Sequence, residues 1–197
     1  MVRTELAIVG ALLAVSSWNS HAQNIVQTEM SGQPLQYMRD GAVSGCGLRI
    51  IAGRPLASGR FEFSEVSVNF YSSGLTLMKA VAYESTPAEM SSAGMKPRKT
   101  KVSSAWMKAS GNRATPVVGK PSLGEDKMSL LFATDFDAAS AVLSAQLRGE
   151  PIQLAVKRFG TDMETILAGV VQLEPGEQKQ LAGCMTELLA EPPARSK

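Results

Sequence analysis

Residues 60–71 read RFEFSEVSVNFY, and this stretch decides the fold class. Apolar and polar side chains alternate at period two, the spacing of a half-buried β-strand. Phe61 and Phe63 share one parity, however, and Val66, Val68 and Phe70 share the other. A one-residue slip sends every side chain to the opposite face. A β-bulge or bend near Ser64–Glu65 is therefore expected, restoring one apolar face. Ser72-Ser73-Gly74 signals a turn, and Leu75, Leu77, Val81 and Tyr83 alternate beyond it, with Lys79 interrupting the face. Together these residues predict a β-hairpin.

Toward the N-terminus, Cys46 to Ala52 reads as a strand with Cys46, Leu48 and Ile50 on one face, closed by Gly53-Arg54-Pro55. Residues 23–45 are polar and broken by glycine and Pro34, which predicts a flexible N-terminal arm with a short strand at Asn24–Thr28. Toward the C-terminus, residues 85–101 read as loop, Val102 to Ala109 as a short strand, and Thr115 to Asp126 as irregular chain. Met128 to Ala133 reads as a buried strand. Asp137 is the expected N-cap of a helix over 138–148, with Ala139, Val142, Leu143 and Leu147 as its buried stripe and Gly149 as its stop. Ile152, Leu154 and Val156 alternate, a turn falls at Gly160-Thr161-Asp162, and Thr165 to Leu173 returns as a second hairpin. Leu181, Cys184, Met185, Leu188 and Leu189 form one face of a last helix over 177–190. The pattern predicts an α+β domain over 46–190, a mostly antiparallel sheet of about six or seven strands with two helices. An antiparallel β-sandwich with accessory helices is the alternative.

The ends of the chain read differently. Residues 1–22 are MVRTELAIVGALLAVSSWNSHA. Leu6 to Val15 is uncharged and mostly apolar, the length of a signal-peptide core and short of the roughly 20 residues needed to span a bilayer. Ser20 and Ala22 are small at the positions expected before a cut, so residues 1–22 read as a signal peptide and Gln23 as the first residue after cleavage. No transmembrane segment is expected after that cut. Residues 191–197 read as a polar tail. The predicted location is periplasmic or secreted. In that oxidising setting the two cysteines, Cys46 and Cys184, are expected to pair.

The chain has 197 residues, 44% of them hydrophobic and 19% charged, an ordinary globular composition. His21, the only histidine, falls in the predicted leader. Histidine is the usual base of nucleophilic hydrolases and the commonest metal ligand. Without it, Ser-His-Asp and Cys-His sites and the usual zinc sites are excluded from the mature chain. No S-x-x-K occurs; the nearest match is Ser104 with Lys108. Asp135-Phe136-Asp137 offers carboxylates for calcium or glycoside chemistry, but an Asp before a helix is first of all a cap. Met90 and Met95 are thioethers in one loop, without the further ligands a copper site needs. No cofactor and no metal site is expected.

The charge distribution carries the functional signal. Met90 to Gly124 contains Lys96, Arg98, Lys99, Lys101, Lys108, Arg113 and Lys120, and no acid, although the net charge of the chain is only +2. Such a run is either a solvated loop or a contact for an anionic partner. The reading is an exported, non-catalytic binding or accessory protein of the cell envelope, which meets an envelope protein or anionic surface through Lys96, Arg98, Lys99, Lys101, Lys108 and Arg113. Export argues against nucleic acid. The alternatives are a histidine-free hydrolase using carboxylates or a Ser-Lys pair, and a structural subunit of an envelope assembly.

Overall fold

The computed structural model describes residues 25–91 and 97–190. The predicted leader, Lys96 and the polar tail lie outside them. The elements run β1 (Ile25–Gln27), β2 (Met30–Arg39), β3 (Ala42–Pro55), β4 (Phe61–Tyr71), β5 (Thr76–Ser85), α1 (Pro87–Ser91), β6 (Arg98–Thr100) and β7 (Val102–Ala109). They continue with β8 (Val118–Leu123), β9 (Leu130–Ala133), α2 (Phe136–Leu147), β10 (Ile152–Arg158), β11 (Thr165–Gly169), β12 (Val171–Gln172) and α3 (Pro175–Ala190). This is an α+β fold with a mainly β core. It is richer than expected, with twelve strands in two sheets and three helices among the described residues.

The larger sheet has the order β12-β2-β3-β4-β5-β9-β8, with β6 also paired to β5. The smaller has the order β1-β11-β10-β7. Inward residues of both sheets form one apolar cluster: Cys46, Leu48 and Ile50 of β3, Val66, Val68 and Phe70 of β4, Met107 of β7 and Leu154 of β10. Helix α2 packs on β7 and β10, and α3 on β3 and β2. Leu181, Cys184 and Leu188 of α3 are buried as expected, whereas Leu189 is exposed.

Both expected hairpins are present. Gly74 (φ 80°) closes the turn between β4 and β5, and β10 pairs antiparallel with β11. The expected bulge is not. Residues 61–71 keep an unbroken register with β3 and β5. The inward face simply continues from Phe70, Val68 and Val66 to Ser64 and Glu62, both buried. Phe61 and Phe63 point the other way and stack on each other with centroids 6.2 Å apart. In β5 the inward residues are Thr76, Met78, Ala80 and Ala82, so Leu77 and Tyr83 share the outer face with Lys79.

The N-terminal arm is also corrected. Residues 30–39 pair with β3 along their whole length, and β3 itself begins at Ala42 rather than Cys46. Pro34 is tolerated because β12 pairs only with Met30 and Ser31, leaving an open edge beyond. The stretch after Thr115 contains β8, an exposed edge strand. Asp135, not Asp137, is the N-cap of α2, and Leu147 is exposed while Gln146 is buried. Thr165 to Leu173 breaks into β11 and β12 because the chain changes sheets there. β1 and β2 cross beside it, with Thr28 N–H donating to the Ala168 carbonyl at 2.9 Å. A Cβ at Gly169 would run into the Thr28 carbonyl oxygen, so the crossing requires glycine.

Cys46 and Cys184 are disulfide-bonded, their Cα atoms 5.9 Å apart, which fastens α3 to the centre of β3. The link spans 138 positions. Reducing it, or replacing both cysteines with alanine, is expected to lower unfolding stability by about 2–5 kcal/mol. The reading is a shift of the urea midpoint, and an unchanged midpoint would contradict the assignment of α3 to the core.

Candidate functional site

The inward face of β4 ends on a carboxylate. Glu62 is only 3% exposed. A bare charge at such depth is too costly, so it must be paired and hydrogen-bonded. Its Oε2 accepts from Arg54 Nε at 3.0 Å, and its Oε1 accepts from the Thr165 hydroxyl at 2.9 Å and lies 3.2 Å from Arg158 Nη2. Arg158 also donates to Glu84 Oε1 (2.7 Å) and to the Tyr83 carbonyl (3.1 Å). Arg54 and Glu62 are register partners on β3 and β4, and Glu84 is on β5, whereas Arg158 and Thr165 belong to β10 and β11. The cluster thus clasps the smaller sheet to the larger at one end of the fold. An open cleft of about 430 Å³ lies over it, lined by Arg54, Glu62, Arg158, Met163 and Glu164 among others.

The clasp fixes the loop between β10 and β11. A second anchor holds the same loop. Glu164 accepts from the Ser104 hydroxyl (3.1 Å) and from Trp106 Nε1 (3.0 Å) on β7. Phe159 and Met163 are consequently held outward, 69% and 63% exposed. Phe159 N–H donates to the Lys101 carbonyl (2.8 Å), and Lys101 Nζ stands 4.8 Å from the centroid of the Phe159 ring, a cation–π contact. Arg98 pairs in register with Glu84, the residue Arg158 grips, so β6 lies against the same clasp. Exposed Arg98 and Lys101 therefore share one end of the fold with two exposed apolar side chains.

The other predicted cations are dispersed. Lys99 is also at this end, but its ammonium is 2.7 Å from Asp126. That contact, with the N–H groups of Ser129 and Met128, holds the Asp126 carboxyl well below the usual carboxylate range. Lys108 stands seven residues from Lys101, about 23 Å along the strand. It lines a separate hollow with Gln27 and Gly111. Arg113 is 2.7 Å from Asp135 Oδ1. The Ala138 N–H, first, and Arg113 lower the pKa of Asp135. Lys120 is exposed on β8. One run in the sequence thus becomes a local patch of Arg98, Lys99 and Lys101, plus scattered charges.

The missed residues are Glu62, Arg158, Phe159 and Met163. Arg54 and Glu62 flank the β3–β4 turn at matching distances, which is the pairing signal of a cross-strand ion pair. Met95 lies outside the described residues. Among the described residues, no three His, Cys, Asp or Glu side chains cluster to hold a metal, and no helix is long and apolar enough to cross a membrane. The chain matches no known family, curated protein or solved structure.

Beside the patch, the Tyr83 hydroxyl donates to Glu65 Oε2 at 3.0 Å. Burial first, then the Glu65 charge, pushes the Tyr83 phenol up to about 12. An unfolded tyrosine ionises near pH 10. Between those values the unfolded chain releases a proton that the folded chain keeps, so stability is present below pH 10 and falls as pH rises through the window. Burial first, then Tyr37, raises Tyr71 as well, so tyrosinate absorbance should show a late phase that Tyr83→Phe reduces. Ionisation of every tyrosine near pH 10 would contradict the geometry.

Proposed function

We propose that the protein is an exported, non-catalytic binding domain of the cell envelope, which contacts an anionic partner through the end of the fold that carries Arg98, Lys99 and Lys101. The observation that carries this reading is the grouping of exposed Arg98 and Lys101 with exposed Phe159 and Met163 on rigidly anchored chain. Cations set the sign of the partner and raise the rate of encounter. Apolar side chains add contact area that charge alone lacks. Export is supported by the leader-like residues 1–22 and by the disulfide, which persists in oxidising compartments.

The hydrolase reading has less behind it. Ser104 gives its hydroxyl to Glu164, and Lys108 lies four residues along the strand, about 13 Å away. Asp135 is engaged as a cap, and Glu62 is enclosed by its ion pairs. A second reading, a structural subunit of an envelope assembly, draws on the apolar groove at the opposite end. There Leu75, Phe136 and Leu189 are exposed around Phe70 and Tyr71.

The test is retention on an immobilised sulfated polysaccharide along a salt gradient. Arg98→Gln with Lys101→Gln should elute at clearly lower salt than wild type, because exposed cations act through a screened field. Lys108→Gln with Lys120→Gln removes the same charge elsewhere and should shift elution much less. Equal shifts for the two pairs would mean that net charge, not this end of the fold, binds the resin.

A further inference from the structure

We propose that the anionic partner is a phospholipid surface, and that Phe159 and Met163 enter it while Arg98, Lys101 and Lys157 stay at the headgroups. This rests on the binding function proposed above and narrows it to one kind of partner. The shape of the site favours a bilayer over a protein. Phe159 and Met163 are the exposed apolar side chains of the hairpin loop, 69% and 63% exposed, and Met163 also lines the cleft over Glu62, so the apolar feature is only two side chains wide. A stable protein contact needs roughly 800 Å² on each partner, well packed. Two side chains on a loop tip fall far short of that, whereas a fluid acyl boundary needs no matching shape.

The chemistry around the tip agrees. Lys157 alternates with inward Val156 and Arg158, which places it on the outer side of β10, and exposed Phe159 follows in the turn. The Lys101 ammonium already stands over the Phe159 ring, as a lysine does at an interface when its stem lies along apolar surface and its charge stays in water. Two acids lie on the loop. Glu164 is turned inward to Ser104 and Trp106, which leaves Asp162 as the exposed one against three cations. The anchors through Arg158 and Glu164 hold the tip in place before any contact, so little ordering is needed on binding. Each cation near an anionic surface is worth about a fivefold gain in binding. Burial of a Phe or Met side chain is worth about tenfold or more. The expected result is reversible, salt-sensitive membrane binding.

The experiment uses flotation with vesicles of phosphatidylcholine, with and without phosphatidylglycerol, alongside the polysaccharide column. Wild type should float with the anionic vesicles and not with the neutral ones. Phe159→Ser with Met163→Ser should weaken vesicle binding about tenfold or more while the urea midpoint stays unchanged, and its column elution should shift less than that of Arg98→Gln with Lys101→Gln. Phe159→Trp should be quenched by brominated lipid beyond the level that native Trp106 shows. Normal column retention with vesicle binding that is absent, indifferent to the serine pair, or unquenched would overturn the lipid assignment and leave anion binding standing. Loss of both readouts for the wild-type protein would overturn the two together.

Discussion

Glu62 lies between Arg54 and Arg158 at the end of the inward face of β4, beyond Phe70, Val68, Val66 and Ser64. A buried carboxylate needs such partners, and these two come from different sheets. The pairing thus sets where the smaller sheet can sit. At the other fastening point, the Cys46–Cys184 bond holds α3 against β3, the strand that carries Arg54. Cys46 and Arg54 are both on β3, about 26 Å apart along it. One strand therefore carries the two devices that position the rest: a covalent link in the apolar half and an ion-pair clasp at the polar end.

The cationic end of the fold follows from that division. Arg158, committed to the clasp, lies inward at the end of β10, so Lys157 before it lies outward, and Phe159 follows exposed in the turn. The register of β6 on β5 brings Arg98 beside Glu84, and the link between β6 and β7 carries Lys101 under Phe159. A cationic patch with apolar points on it is thus a by-product of how a buried acid is neutralised. The far end of the loop is held as well, Glu164 accepting from Ser104 and Trp106.

What the sequence made legible was local or covalent. The β4–β5 and β10–β11 hairpins, the helices near 138 and 177, and the cysteine pair were readable from spacing, turn residues and count. Residues 60–71 misled because an apolar face was assumed to be the inner face. Glu62 and Ser64 continue that face, and the buried Glu62 carboxylate is met by Arg54 on β3 and by Arg158, 96 positions away. Residues 30–39 look like a loose arm because Gly32 and Pro34 weaken the strand pattern, and the partner that orders them, β3, is defined by tertiary pairing. The basic run is visible, but the length of β7 separates Lys101 at its start from Lys108 and Arg113 at and beyond its far end, while Phe159 and Met163 join the patch from a distant hairpin. No local signal marks a loop-tip Phe and Met as exposed rather than buried.

The central claim is that the Glu62 clasp holds the two sheets together at one end and, through them, the β10–β11 tip. Hydrogen exchange of Glu62→Gln against wild type tests it most directly. The substitution removes the charge that both arginines face, which costs about 3–5 kcal/mol when a buried pair is broken. The account predicts that amides of β6, the start of β11 and the loop over 159–164 exchange much faster. Those of β3 around the disulfide and of α3 should keep more of their protection. Unchanged protection at the tip, or an equal loss of protection throughout the described residues, would contradict it.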